Sequence, residues 1–465
     1  MDVVDILKEM ILDFQQQRPT AGVPRQLAYK TMRGKALVCI GVRRCGKSTL
    51  LNQIVGTYLD QGVPAENLLY VNFFDDRLQE LSQGKLDLVL EAFFSLYPEK
   101  KGVEEILCFF DEIQEVRNWE PFVDRLMRTE KCQVFITGSS ARMLSKEIAT
   151  QMRGRSLAWE LFPFSFAEWL AYKGVSGKPG TSRYRLLAKK AFAEYWERGG
   201  FPEVRDAEPR LRVMTHQEYF KAIILRDIVQ RHDVGHPQAV MDLAHRLMNQ
   251  IGSAYSVNSL TGYLKSVGHK TAKAFVRDCM QWFEDAFFLF SVKLFDASVA
   301  RQNVNPRKIY CVDHALVRSV GTGILVNSGH LLENVVFCHL RRRGEAIHYY
   351  RTGSGREVDF IWREGARPWQ LLQVCESLVR PETRNRELAA LREAMREQGL
   401  GCGVIVTREE SETLTVDEGH ISVIPVWQFS SAPGATSSRD ALPTHPQTAT
   451  PDFPPSACPP EFSRG

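Results

Sequence analysis

The sequence predicts an α/β fold that opens with a parallel, doubly wound sheet. Three observations carry this. The apolar run at 36–40 passes into a glycine-bearing loop and then into a helical run at 48–55, with Leu50, Leu51, Ile54 and Val55 on one side. Two more apolar runs, 67–73 and 106–110, are followed by acidic residues, and another at 133–137 ends in small polar ones. Helical spacing fills the intervals at 86–97 and 113–128. Strands alternating with helices make a parallel sheet, and ligands gather at the strand C-termini.

The loop reads Gly41-Val42-Arg43-Arg44-Cys45-Gly46-Lys47-Ser48-Thr49 and fits G-x-x-x-x-G-K-[ST]. Glycines let the backbone curl so that several N–H groups point at phosphate oxygens. The following helix adds its positive end. In this reading residues 41–49 cradle ATP, Lys47 bridges the outer phosphates, and the Ser48 hydroxyl ligates Mg²⁺. The bland alternative, a chance match, is weakened by the flanking strand and helix. Cys45 sits where most side chains are tolerated, so its alkylation is expected to block nucleotide binding.

Phe110-Asp111-Glu112 is a second nucleotide signature, called Walker B. Asp111 at a strand end can hold Mg²⁺ through its water shell, and Glu112 can act as the general base toward water. A strand that merely ends in two solvated acids is the alternative, and the upstream loop argues against it. Ser139 or Ser140 either touches the γ-phosphate or caps a helix expected at 141–149. Arg155, in Gly154-Arg155, is a candidate arginine finger for its own or a neighbouring subunit's ATP, against a surface loop held by ion pairs.

Before the first strand, 1–35 opens as a helix with Ile6, Met10, Ile11 and Phe14 at helical spacing. A basic patch follows at Arg25, Lys30, Arg33 and Lys35. It reads as a solvated approach to the sheet, or as contacts to base or phosphates. The chain has 465 residues, 44% hydrophobic and 25% charged, with a net charge of +4, too mild to argue for nucleic acid by itself. Ten cysteines without C-x-x-C pairs, mostly in apolar runs, read as buried thiols of a reducing compartment. With no secretion signal and no apolar run near membrane-span length, a cytoplasmic protein without membrane contact is expected.

Beyond the ATPase domain (1–160), residues 161–237 read as a helical region rich in aromatic core, punctuated by Gly199-Gly200-Phe201-Pro202. Residues 238–320 read as winged-helix-like. Helices are expected at 239–250, 260–267 and 271–287, with wing strands at 288–295 and 308–313. Lys270, Lys273 and Arg277 are candidate DNA contacts, with Asp278, Glu284 and Asp285 mixed among them. Residues 321–430 read as a separate α/β unit: a helix at 331–343, strands at 346–351, 357–362 and 370–375, a helix at 381–397, and strands at 404–407 and 421–427. That order, with Glu333 on the first helix and Asp359 on the second strand, suggests a restriction-nuclease-like fold. Such nucleases place Glu-x-Lys on the third strand, and Gln373-Val374-Cys375 stands there instead. A metal ligand is neutralised and the lysine is missing, so nuclease chemistry is not expected unless Glu376 substitutes. Residues 431–465, rich in proline, serine and threonine, read as a disordered tail.

Taken together, these motifs resemble a prokaryotic group of AAA-like P-loop ATPases with a C-terminal domain of unknown function. The resemblance rests on Gly41 to Thr49, Phe110 to Gln114, Thr137 to Ser140, Gly154-Arg155, Gly199 to Pro202, Arg226-Asp227-Ile228, Lys308 to Tyr310 with Asp313, Leu332-Glu333-Asn334 and Glu357 to Phe360. It implies an ATPase module, a winged-helix middle and a nuclease-like end. The expected function is Mg²⁺-dependent ATP hydrolysis driving a switch or motor, in a chain that forms homo-oligomers or engages DNA or protein. The rival is a nucleotide-gated DNA-binding protein with a degenerate nuclease domain.

Overall fold

A computed structural model describes residues 2–431, apart from 21, 28, 140–151, 153, 179, 305, 322–326 and 345. The helix expected at 141–149, Ser140 and the tail from 432 lie outside the described residues.

The first sheet has strands β1 (Ala36–Ile40), β2 (Leu68–Asn72), β3 (Ile106–Asp111), β4 (Cys132–Gly138) and β5 (Ser156–Glu160) in the order β2-β3-β4-β1-β5. Every pairing is parallel. Strands β1 and β3 are buried along their whole length, as continuous apolar runs covered on both faces must be. Because β4 lies between β1 and β3, the phosphate-type loop and the acid pair open onto one crevice at the strand C-termini.

Strand β5 is a correction. Its half-buried residues Ser156-Leu157-Ala158-Trp159-Glu160 lack the apolar run that marks a central strand, and the sequence reading passed over them. It pairs with β1 from Ala36↔Ser156 to Ile40↔Glu160.

The basic patch before β1 is also corrected at Arg25, which is buried rather than solvated. Its guanidinium donates to Glu168 (2.9 Å) and to the carbonyls of Cys45 (2.7 Å) and Phe162 (2.6 Å). Glu168 belongs to the helix Phe166–Tyr172, where it closes a capping box with Ser165. Burial would push the Glu168 carboxyl up. The Arg25 guanidinium and the backbone N–H groups of Gln26 and Ser165 hold it below its ordinary value instead.

The middle of the chain runs through the helices Ser182–Arg198 and Pro209–Ala222, and the latter continues into a π-helical stretch, Ile223–Gln230. Three helices follow, Pro237–Met248, Val257–Ser266 and Lys273–Asp285. Ser256 caps the second of these, accepting from Ser259 N at 3.1 Å. Then β6 (Ala254–Tyr255), β7 (Leu289–Leu294) and β8 (Arg307–Cys311) pair in the order β7-β8-β6.

The C-terminal part shares a sheet with the middle strands. Strands β9 (Ala346–Arg351), β10 (Glu357–Arg363), β11 (Gln370–Val374), β12 (Cys402–Thr407), β13 (Glu412–Val416) and β14 (Gly419–Pro425) continue the middle strands into one nine-stranded sheet. The junction is β7 beside β9, parallel, at Lys293↔His348 and Leu294↔Tyr349. Sequence periodicity reports which face of a strand is buried but not its lateral neighbour, so this joint was not legible. Strand β13 was also missed, because its alternating half-buried pattern on an edge carries few apolar residues.

Two turns tie the sheets together. After β8, Asp313 accepts from Gly200 N at 2.7 Å and caps the helix His314–Val320. Gly199 there has φ +76°, and a Cβ on it would lie 2.5 Å from Asp313 Oδ1.

Arg25 and Glu168 retain 2% and 5% side-chain exposure, so removing one strands a buried charge. Glu168→Ala is expected to lower the unfolding free energy by about 3–5 kcal/mol. A urea midpoint unchanged from wild type would refute the clamp.

Candidate functional site

Strand β1 ends at Ile40, and the backbone then turns sharply. A Cβ on Gly41 would fall 2.1 Å from the carbonyl oxygen of Leu161, so only glycine passes here. Arg44 and Gly46 both take positive φ, +68° and +100°, which curls the loop before the helix Lys47–Asp60 begins. The N-terminal N–H groups of that helix face the crevice, an arrangement that favours anions.

Lys47 is buried, with 4% exposure. Its ammonium donates to the carbonyls of Gly41 (3.2 Å) and Val42 (3.3 Å) and lies 3.7 Å from Glu112 Oε1. Ser48 is exposed at the mouth and Thr49 half-buried behind it.

The acid pair is built on β3 and β4 together. Asp111 is fully buried. It accepts from the Tyr70 hydroxyl at 2.9 Å and from the Thr137 hydroxyl, so neither hydrogen-bond partner carries a charge. Burial and the Asp111 charge push the Tyr70 phenol up, which keeps it a donor. Thr137 also accepts the Glu112 N–H at 2.9 Å. One hydroxyl therefore fixes both acids, a role the sequence reading did not give it. The signal was its place at the end of β4. Glu112 stands at φ +54°, a left-handed conformation that costs a non-glycine residue about 1–2 kcal/mol. Its carboxylate accepts from the Gln114 side chain. Ser139 is buried and lies 3.5 Å from Gln114 Nε2, at the limit of a hydrogen bond.

The two arginines of the loop turn outward. Arg43 makes a two-pronged contact with Asp227 of the π-helical stretch, at 2.8 and 3.2 Å, and that bond raises its pKa. Arg44 pairs with Glu203 at 3.1 Å and lies over the Tyr219 ring. A cleft of about 570 Å³ opens beside the loop, lined by Arg43, Gln114, Arg226, Asp227 and Arg231 among others. Residues 203–231 thus grip the loop from outside the first sheet, a contact sequence spacing could not reveal.

Two expectations are corrected. Arg155 does not reach the site of its own chain. It precedes β5, its carbonyl accepts from Ala36 N at the start of β1, and the loop begins at the other end of that strand. Five residues of strand separate them, about 17 Å. Its guanidinium pairs with Asp124 at 3.3 Å. The Cys45 side chain, in turn, lies under the loop and is fully buried. Burial pushes its thiol up, against the pull of Lys47 and Arg25.

At the second acidic site, Glu333 on the helix Ser328–Arg343 and Asp359 on β10 do come together. The lysine missing from the third strand is supplied from β8. Lys308 Nζ lies 2.9 Å from Glu333, from Glu357 and from Asp359. Burial and the Asp359 charge push the Glu333 carboxyl up to about 8, and Lys308 opposes this. Glu376 lines the same cavity and enters none of these contacts.

Family models match along the chain: an AAA domain at residues 33–170, a domain of unknown function (DUF8612) at 189–325 and another (DUF4143) at 328–429. An uncharacterized protein of Methanocaldococcus jannaschii is 31% identical over 441 residues, covering 91% of this chain and 95% of that one. An uncharacterized protein of Haemophilus influenzae is 32% identical over 329 residues, covering 70% and 79%. Among solved structures, the Aeropyrum pernix Orc1 protein in complex with DNA is 13% identical with a TM-score of 0.29, covering 68% of this chain and 91% of that one. C. elegans PCH-2 is 14% identical with a TM-score of 0.27, covering 46% and 61%. Likenesses at that level do not bear on the chemistry. The full-length match does establish the family: this chain belongs to the prokaryotic proteins in which an AAA domain is followed by two domains of unknown function.

Proposed function

We propose that the chain binds ATP with Mg²⁺ at Gly41 to Thr49 and hydrolyses it. The observation that carries this is the buried Lys47 ammonium, held inside the curled loop by two carbonyls and 3.7 Å from Glu112. A lysine so enclosed is poised to exchange those carbonyls for phosphate oxygens. Ser48 and Asp111 fit a divalent cation: one is an exposed hydroxyl at the loop mouth, the other a carboxylate at the end of β3 bonded, among the described residues, by the neutral Tyr70 and Thr137 hydroxyls. Ser48 would ligate Mg²⁺ directly and Asp111 through water, and the bound ion would neutralise charge on the phosphates.

Glu112 is the base in this reading. Water attacks the γ-phosphorus, Glu112 takes its proton, and the bond to the β–γ bridging oxygen breaks to release ADP. Gln114 orients the carboxylate, and Ser139 completes the wall behind it. Arg43 and Arg44 link the loop to the middle helices, so a change in loop shape is passed to Asp227 and Glu203. That supports a switch or motor role over a passive nucleotide store. Arg155, with 37% side-chain exposure, can serve only a neighbouring copy, within a homo-oligomer.

One observation favours a second reading, a nucleotide-gated DNA-binding protein. Lys265, Lys270, Lys273 and Arg277 are exposed around the helix Lys273–Asp285, and none is in an ion pair among the described residues.

Lys47→Ala and Glu112→Gln are each expected to reduce phosphate release by at least about 100-fold. Glu112→Gln should retain ATP binding and Lys47→Ala should weaken it. Equal turnover by wild type and Glu112→Gln would overturn the base assignment. Native protein treated with a thiol reagent is expected to label at Cys402, which is exposed, and to spare Cys45. Rapid Cys45 labelling detected by mass spectrometry would contradict its burial. The DNA reading predicts duplex retention that weakens steeply with salt and is reduced by Lys270→Glu with Lys273→Glu. No retention at low salt, with or without ATP, would dismiss it.

A further inference from the structure

The second acidic pocket is the larger cavity, about 800 Å³, and ATP chemistry at the first site leaves it without a task. A nuclease-like fold implies a divalent metal held by Glu333 and Asp359. The residues present do not fit one.

Lys308 rises from β8 with 3% exposure and puts its ammonium 2.9 Å from Glu333 Oε1, Glu357 Oε1 and Asp359 Oδ1. The ammonium donates to Glu333 and Asp359 and forms an ion pair with Glu357, so one cation serves three acidic side chains. A metal drawing on these same oxygens needs the same central point, at about 2.0–2.6 Å from each. Further bonds fall on each of the three. Asp359 Oδ2 accepts from Val374 N at 2.9 Å, Glu357 Oε2 from Arg351 at 3.3 Å, and Glu333 Oε1 accepts a second bond from the Tyr310 hydroxyl at 2.5 Å. Gln373, standing where the third strand would carry an acid, accepts from Asp359 N and donates to Glu387, so its amide is committed to the wall. A dication brought in here meets a like charge at the centre. Among the described residues no group of three or more acidic, histidine or cysteine side chains stands in metal-binding geometry.

We infer that Lys308 is the resident cation of this pocket: it occupies the position a divalent metal would take, excludes that metal, and fastens β8 to the helix Ser328–Arg343 and to β10. The pocket is then metal-free in the working protein.

The test reads Mn²⁺ binding by electron paramagnetic resonance on the full chain without nucleotide. An Asp111→Asn background removes the carboxylate proposed for the ATP-linked metal, so the result stands apart from the ATPase reading. In that background no bound Mn²⁺ is expected at about 1 mM, the weak end of carboxylate sites. Lys308→Ala added to it should gain one bound Mn²⁺ per chain and lose it again with Asp359→Asn. Its melting temperature should rise with Mn²⁺, while that of the parent stays unchanged. Should Lys308→Ala fold only when Mn²⁺ is supplied, the inference is equally supported. Bound Mn²⁺ in the parent that disappears with Asp359→Asn would overturn it. So would a Lys308→Ala chain that folds yet gains no Mn²⁺, or one that fails to fold even with Mn²⁺.

Discussion

The buried guanidinium of Arg25 organises the first half of the molecule. It reaches across three segments distant in sequence and joins the loop carbonyl of Cys45, the carbonyl of Phe162 and the carboxylate of Glu168. The loop needs such a brace. Its backbone visits left-handed conformations at Arg44 and Gly46, a curl held from within by Lys47 on the Gly41 and Val42 carbonyls and from outside by Arg25 on Cys45. Arginine suits the position because its planar fork offers several donors in fixed directions. The same logic recurs at the other end of the chain, where the Lys308 ammonium gathers three carboxylates from two elements. In both places one buried cation sets the geometry of a site, and in neither can it be removed without leaving charge uncompensated.

Much of the first site was legible because its chemistry is local. The glycines, Lys47 and Ser48 lie within eight consecutive residues, and Asp111 and Glu112 are adjacent at a strand end. Strand placement followed from the continuous apolar runs at 36–40 and 106–110. What escaped were contacts between segments far apart in sequence. Arg25 read as one charge of a solvated patch, and only the fold shows it enclosed. Asp227 stood only within the motif Arg226-Asp227-Ile228, and the fold shows it paired with Arg43. Arg155 read as a finger for its own or a neighbouring subunit's ATP, mostly from the family resemblance, whereas its register beside Ala36 puts it at the far end of the sheet from its own loop.

The second site illustrates the limit more sharply. A spacing rule sought the lysine two residues after an acid on the third strand and found Val374 and Cys375. The lysine is present, on a strand that belongs to the preceding stretch of chain, because β7 joins β9 and makes one sheet of two expected units. A pattern of residues along a chain records the order of strands, and a site depends on their lateral arrangement. The two differ wherever a sheet is assembled from distant segments.

Strand β8 has a consequence for how the two ends of the molecule communicate. Lys308 near its start lies in the acidic pocket. Asp313, just past its end, holds the Gly200 amide, and two residues on Pro202 and Glu203 rest against the phosphate loop. Lys308 to Cys311 is pleated strand, about 10 Å long, and a bend at Val312 leads to Asp313. One strand therefore carries the cation of the acidic cluster near its start and leads, just past its end, to the turn whose next residues touch the phosphate loop.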